Sequence, residues 1–268
     1  MLVMFFFILL FLATTWILLN KNEEISYRFN IKLSHNMIRK YYIISCVLLI
    51  IIAVKVFIFN ETPVENDVQA VSINENNVKG INISNNDGDI DLNSASEAGS
   101  RYVYVKATEG KTFKDSYMNT YYTKCKSLGM KVGAYHYLVS TSSPEEQAQN
   151  FYDTISGYEW DLIPMLDTEE YFDGIEDYIK RFRDAFKKLS PLELGIYSYT
   201  SFINTHLNDL DSSIYNMPLW EANYNGKPWS DVGNTKFTNL VGHQYSTKKH
   251  IGNFYTDINE FNEGCLIK

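Results

Sequence analysis

Cysteine is scarce in this chain, and its few copies do not pair. Cys46, Cys125 and Cys265 are odd in number and far apart, with no Cys-x-x-Cys spacing, so neither a zinc cluster nor a disulfide framework is expected. Cys46 lies in an apolar run and Cys125 in a helical pattern, where a small buried hydrophobe is the ordinary reading. A Cys125–Cys265 bridge stays open only for a domain outside the cytoplasm. Positive charge is also short: 24 Lys plus Arg stand against 32 Asp plus Glu, a net charge of -8. Nothing in that balance builds a basic face to neutralise phosphates, so nucleic acid is excluded as a partner. No Gly-x-Gly-x-x-Gly follows the first strand of the main domain, which removes a dinucleotide site. No Gly-x-Ser-x-Gly and no Ser-His-Asp order occur, which removes a serine hydrolase. No spacing reads as a set of metal ligands, and neither a metal nor a cofactor is called for.

What the chain does have is length, aromatic content and two long apolar runs. Its 268 residues are 45% hydrophobic and 15% aromatic, with 20 Tyr and 16 Phe. That allows one sizeable globular domain and something smaller. The aromatics suit a sugar-binding groove and equally an ordinary core. Residues 2–19 carry no charge, and residues 41–59 carry only Lys55 near one end; each is long enough to cross a bilayer as a helix, with Lys55 snorkelling to the headgroups. The loop between them, 21–40, holds Lys21, Arg28, Lys32, Arg39 and Lys40 against Glu23 and Glu24. The positive-inside rule places that loop in the cytoplasm and sends the C-terminal part outward. A cleaved signal peptide is the competing reading of the first run, against which stand the missing basic n-region and cleavage site. A start at Met37 would leave a single signal anchor. In each case the second run holds the domain outside. The expected organisation is a membrane anchor over 1–59, in contact with lipid through its helices, a polar Asn-rich linker over 60–78, and a domain over 79–268. The expected location is the cell membrane, with the domain extracytoplasmic.

From Lys79 onward short apolar runs alternate with amphipathic segments. Strands are expected at 79–83, 102–108, 131–138, 162–169 and 193–199, and helices near 92–99, 115–128, 144–156, 172–189 and 200–207. Ser143-Pro144-Glu145-Glu146 supplies a capping residue, a first-turn proline and a capping-box glutamate, and Gly129 is placed to end the preceding helix. MPLWEANY, LVGHQYS and NFYTDINEF then read as strands with little helix between them. Five β/α units plus three strands point to an α/β fold, an irregular (β/α) barrel, preceded by transmembrane helices; a doubly wound open sheet is the alternative.

Active groups in such barrels gather at the C-terminal strand ends. There the fourth strand carries Asp167 and Glu169, two apart and so on one face, about 6.6 Å along it. Two close carboxyls push their pKa values apart, leaving one protonated and one charged, which is what breaking a glycosidic bond requires; an acidic strand end that merely caps a helix is the plainer reading. Glu109, His136, Tyr197 and Trp220 sit at equivalent strand ends. His136 reads as a structural hydrogen-bonder or as a group orienting a carboxylate, and Tyr197 and Trp220 as sugar-stacking or core residues. Asp257 is another carboxylate or a loop cap, and His243 reads as structural.

These segments, taken in order, resemble the glycoside hydrolase family 25 lysozymes, the Chalaropsis-type muramidases. GINISNNDGDID (80–91), YVYVKATEG (102–110), KVGAYHY (131–137), MLDTE (165–169), GIYSY (195–199), PLWEANY (218–224), HQYS (243–246) and TDINEF (256–261) carry the likeness. The resemblance implies cleavage of the β-1,4 bond between N-acetylmuramic acid and N-acetylglucosamine in the glycan strands of peptidoglycan. It implies Glu169 as general acid, and Asp167 as the group that positions or polarises the substrate's N-acetyl group. Asp257 becomes a groove aspartate, and Glu109, Tyr135, His136, Tyr197 and Trp220 groove or supporting residues. The sequence departs from the family pattern at Asn82, where the family has Asp, and at Asn86, Leu92 and His243. Asn keeps the shape and one acceptor of Asp but not its charge. Two readings follow: a membrane-anchored muramidase in which Asn82→Asp raises turnover, or a tethered peptidoglycan-binding module. Local opening of the wall for secretion, conjugation or remodelling would add envelope or secretion-complex partners that the sequence does not name.

Overall fold

Strand parity decides what each residue of this domain faces. The computed structural model describes residues 77–229 and 235–268. The chain runs β1 (Val78–Ile83), a 3₁₀ turn (Asn85–Asp87), α1 (Leu92–Glu97), β2 (Tyr102–Glu109) and the two-residue β3 (Phe113–Lys114). It continues through α2 (Met118–Ser127), β4 (Lys131–Tyr137), α3 (Pro144–Ile155), β5 (Met165–Asp167) and α4 (Ile175–Leu189). Then come β6 (Gly195–Tyr199), α5 (Thr200–His206), α6 (Ser212–Tyr215), β7 (Pro218–Ala222), β8 (Asn239–Ile251) and β9 (Phe254–Phe261). Eight strands close in the order β1-β2-β4-β5-β6-β7-β8-β9, with β3 an edge appended to β2. All neighbours from β1 to β8 pair in parallel; β9 inserts antiparallel to both β8 and β1 and completes the ring. The expected barrel of five β/α units and three strands is the one observed, and closure excludes the open sheet.

On β2, Val103, Val105 and Ala107 turn outward to the helices, while Tyr102 and Tyr104 turn into the barrel. The outward set meets faces such as that of α4, where Ile175, Ile179, Phe182 and Phe186 recur at helical spacing and are buried. The inward set stacks Tyr104 on Trp220 at 5.0 Å and packs both against Phe261. Room for these rings comes from glycine: a Cβ on Gly80 or Gly242 would collide with Phe261, and one on Gly133 with Tyr104. Leu162, Ile163, Met165 and Val241 fill the rest of this lower layer.

Helix boundaries follow the caps. Ser143 Oγ accepts the Glu146 N–H, and the Glu146 carboxylate accepts the Ser143 N–H, with Pro144 in the first turn. Gly129 ends α2 in the left-handed region, at φ +69°. Several expected elements come out shorter, three of them for local reasons. The helix expected from 115 starts at Met118, because the Asp115 carboxylate takes the Tyr117 N–H in a turn. The one expected from 172 starts after Gly174, whose φ is +81°. The strand expected over 162–169 spans only Met165–Asp167, with Pro164 just before it lacking a ladder N–H. Cys125 and Cys265 are buried free thiols, not a bridge, and burial pushes each up to about 12. Among the described residues no helix is long and apolar enough to cross a membrane; the runs 2–19 and 41–59 and the linker through 76 lie outside them.

Candidate active site

Above the aromatic layer, at the C-terminal ends of the parallel strands, the barrel opens into a cleft of about 250 Å³. Asp167, Glu169, Asn82, Asp257, Tyr135, Tyr197 and Trp220 all line it, so seven of the nine residues singled out from the sequence come together there. Asp167 ends β5 and is buried, while Thr168 turns outward and Glu169 returns, half-buried, to the cleft. The two carboxyls are therefore not spaced along a strand; they hydrogen-bond each other. Burial first, and then the neighbouring Glu169 charge, lift Asp167 well above the usual carboxylate range, with Lys106 pulling it back. Burial also raises Glu169, and the charge of Asp257 adds to it, against the hydrogen bond from Asp167. Burial and mutual repulsion thus favour keeping a proton on the pair, most strongly at the more deeply buried Asp167. Asp167 Oδ1 meets no hydrogen-bond donor among the described residues.

Strand parity corrects one expectation for this site, and a second residue stops short of the lining. His136 does not reach the cleft. It lies between Tyr135 and Tyr137, which face inward, so it faces outward, packed against Phe151 of α3 and Phe182 of α4. Gln147 donates its Nε2 to the Val139 and Ser142 carbonyls, so its Oε1 faces His136 Nε2, 3.0 Å away, and the imidazole must donate there. Nδ1 then accepts from the Thr108 hydroxyl at 2.7 Å. Burial holds this neutral imidazole down at about 3. It orients no carboxylate and touches no sugar. Glu109 also lies outside the lining: it bonds Lys106 Nζ at 2.7 Å, and a bulge between Lys106 and Thr108 returns it to the cleft side of β2. Trp220 reaches the floor of the cleft only by an edge. It is 2% exposed and belongs to the core. His243 is buried, with Nε2 on the Asn223 carbonyl at 3.1 Å, as a structural residue would be.

Sequence reasoning passed over four residues that matter here. Lys106 continues the inward parity of Tyr102 and Tyr104 and lines the cleft, with its ammonium over the Tyr137 ring at 5.0 Å. Tyr224, 54% exposed, stands at the rim and donates to Gln244 Oε1 at 3.0 Å. Gln244 and Asn259 sit beneath the lining and tie β8 and β9 to Asn82. Parity along β2 was signal enough for Lys106; the two amides carried none. Among the described residues no group of three or more His, Cys, Asp or Glu could hold a metal ion.

Comparison with known proteins agrees with this geometry. The family model described as glycosyl hydrolases family 25 matches residues 81–254. An autolytic lysozyme of Clostridium acetobutylicum is 35% identical over 197 residues, covering 71% of this chain and 57% of that protein. Lysozyme M1 of Streptomyces globisporus is 29% identical over 202 residues, covering 69% of this chain and 68% of that protein. Among solved structures, the bacterial lysozyme from Streptomyces coelicolor superimposes with a TM-score of 0.62 at 28% identity, covering 69% of this chain and 92% of that one. The chain thus spans little more than half of the Clostridium protein. With the family match covering most of the described barrel and the Asp167–Glu169 pair, the chain belongs to the glycosyl hydrolases family 25.

Proposed function

We propose that this protein is a membrane-anchored muramidase that cleaves the β-1,4 bond between N-acetylmuramic acid and N-acetylglucosamine in peptidoglycan. One observation carries the chemistry: the Asp167 and Glu169 carboxyls, both raised by burial, meet at the wall of a cleft fit for a glycan strand. Two carboxyls in hydrogen-bond contact are closer than the roughly 5–5.5 Å of a nucleophile and acid pair, or the roughly 6.5–9.5 Å that leaves room for an attacking water. The contact therefore suits a reaction in which the substrate supplies its own nucleophile. An acetamido N–H arriving at the cleft face of the Asp167 carboxyl favours its charged form, and a proton held by the pair moves to Glu169. Glu169 gives that proton to the glycosidic oxygen as the C–O bond breaks. The acetamido carbonyl oxygen bonds the anomeric carbon, and water then opens that ring and returns a proton to the pair. The relatives named as lysozymes point to the same substrate.

The anchor rests on the sequence: two apolar runs flanking a basic loop place the domain outside the membrane, against the wall. The test is release of new reducing ends from purified peptidoglycan by the full-length protein, with Glu169→Gln lowering it by at least about a hundredfold. No release from any of several wall chemistries, O-acetylated and de-N-acetylated walls included, would refute the reading and leave a binding module. A reporter fused after Lys268 is expected to be active only outside the cell; cytoplasmic activity would refute the topology.

A further inference from the structure

Asn82 stands where the resemblance expects a carboxylate, and its surroundings are built for an amide. Two hydrogen-bond chains converge on it. Trp220 Nε1 can only donate, and it donates to Asn259 Oδ1 at 2.9 Å, so Asn259 must turn its Nδ2 to Asn82 Oδ1, 3.0 Å away. The Tyr197 and Tyr224 hydroxyls both donate to Gln244 Oε1, at 2.6 and 3.0 Å. Gln244 therefore turns its Nε2 to Asn82 Oδ1 at 2.9 Å and to Asp257 Oδ2 at 3.2 Å. With its oxygen claimed by two donors, Asn82 has only its amide N–H left to turn towards its cross-strand partner Asp257, an arrangement that favours the charged carboxylate. Asp257 is thus faced by Asn82 from β1 and bonded by Gln244 from β8. An aspartate here would satisfy Gln244 and Asn259 equally well, but its second oxygen would face an acceptor.

We propose that Asn82 is a positioning residue: its amide is the permanent donor that faces Asp257 and keeps its carboxyl aimed into the cleft. A carboxylate at position 82 would do this only while it shared a proton with Asp257. The inference rests on the muramidase reading for its consequence in turnover, but not for the pairing itself. The titratable groups that face Asp257 are Asp87 from the turn after β1, Glu169 after β5, Tyr224 after β7 and Lys248 on β8. Tyr135 and Tyr255 line the recess beside it.

The test compares full-length wild type, Asn82→Asp and Asn82→Leu by pH profile and by carboxyl NMR of ¹³C-labelled aspartate. In wild type Asp257 titrates in a single step. In Asn82→Asp it titrates in two coupled steps with residue 82, and the variant's rate relative to wild type falls about tenfold or more as pH rises through the upper step. Asn82→Leu, which keeps the bulk and loses the donor, is slower at every pH and gains no new step. A relative rate for Asn82→Asp that is constant or rises with pH overturns the proposal, as does single-step titration of Asp257 in that variant. A wild type that releases no reducing ends yet shows the NMR behaviour refutes the muramidase reading and keeps the pairing.

Discussion

His136 offers a direct measurement of how the barrel wall depends on pH. The perturbation is His136→Gln, which leaves a polar group of similar reach between Thr108 and Gln147 but cannot titrate. In the folded protein the imidazole is fully buried, satisfied on both nitrogens as the neutral form, and held at about 3 against an ordinary 6.5. A folded pKa below the unfolded one means that the unfolded chain binds the extra proton between those two values. Neutral His136 is therefore fully accommodated above 6.5, and stability is lost as pH falls from 6.5 towards 3. At about 1.4 kcal/mol per unit, the loss is about 2 kcal/mol by pH 5 and about 3 kcal/mol by pH 4. Other carboxyls titrate in the same window, so the quantity to measure is the difference between wild type and variant. Urea unfolding of each full-length protein at pH 7.5, 5 and 4, followed by near-ultraviolet circular dichroism, gives it. Any advantage of wild type at pH 7.5 should shrink by about 2 kcal/mol at pH 5. A difference that stays constant with pH would refute the reasoning, because it would mean that His136 protonates as readily in the folded barrel as in the unfolded chain.

Two further outcomes are expected. Removing the cation of Lys106 in Lys106→Met should raise the Asp167–Glu169 pair, since a nearby ammonium favours the charged form; the alkaline limb of the pH–rate profile should move up by about a unit, and an unmoved or lowered limb would count against it. Gly133→Ala puts a Cβ 2.8 Å from Leu162 Cβ and into the Tyr104 ring, so it should lower stability by about 1–3 kcal/mol, read as a drop in the urea midpoint.

Much of this was legible because local rules and the global fold agree. The alternation of strand and helix, the capping box at Ser143 and the glycine at 129 fixed the order of elements before any contact was known. The site was half legible. Asn82 and Asp167 sit at strand ends, Glu169 just beyond one and Asp257 within β9, and all four line the cleft. His136 was misplaced because adjacent residues on a strand cannot both face the cleft, and Tyr135 already did. Glu109 is the opposite case: strict alternation would turn it outward, and a bulge that no local sequence signal announces turns it back. Gln244 and Asn259 were invisible for a different reason. What an amide does depends on which end faces which neighbour, and their neighbours, Asn82, Trp220 and Tyr197, lie up to 177 residues away.

The interior of the barrel explains how carboxyls can be both desolvated and reachable. Its lower layer is dry: Tyr104, Trp220 and Phe261 fill the space that Gly80, Gly133 and Gly242 leave. Its upper layer is polar and open at one end only. Asp167 and Asp257 sit at the boundary, so each loses water from below while keeping a face to the cleft. The same aromatic layer orients the polar one, since the Trp220 N–H sets the direction of Asn259, and Asn259 that of Asn82. Replacing Trp220 by Phe would keep most of the packing but remove that donor. Asn259 would then be free to flip, and the order of amides that ends on Asp257 would lose its anchor. The floor of this barrel thus sets the order of the amides in the cleft above it.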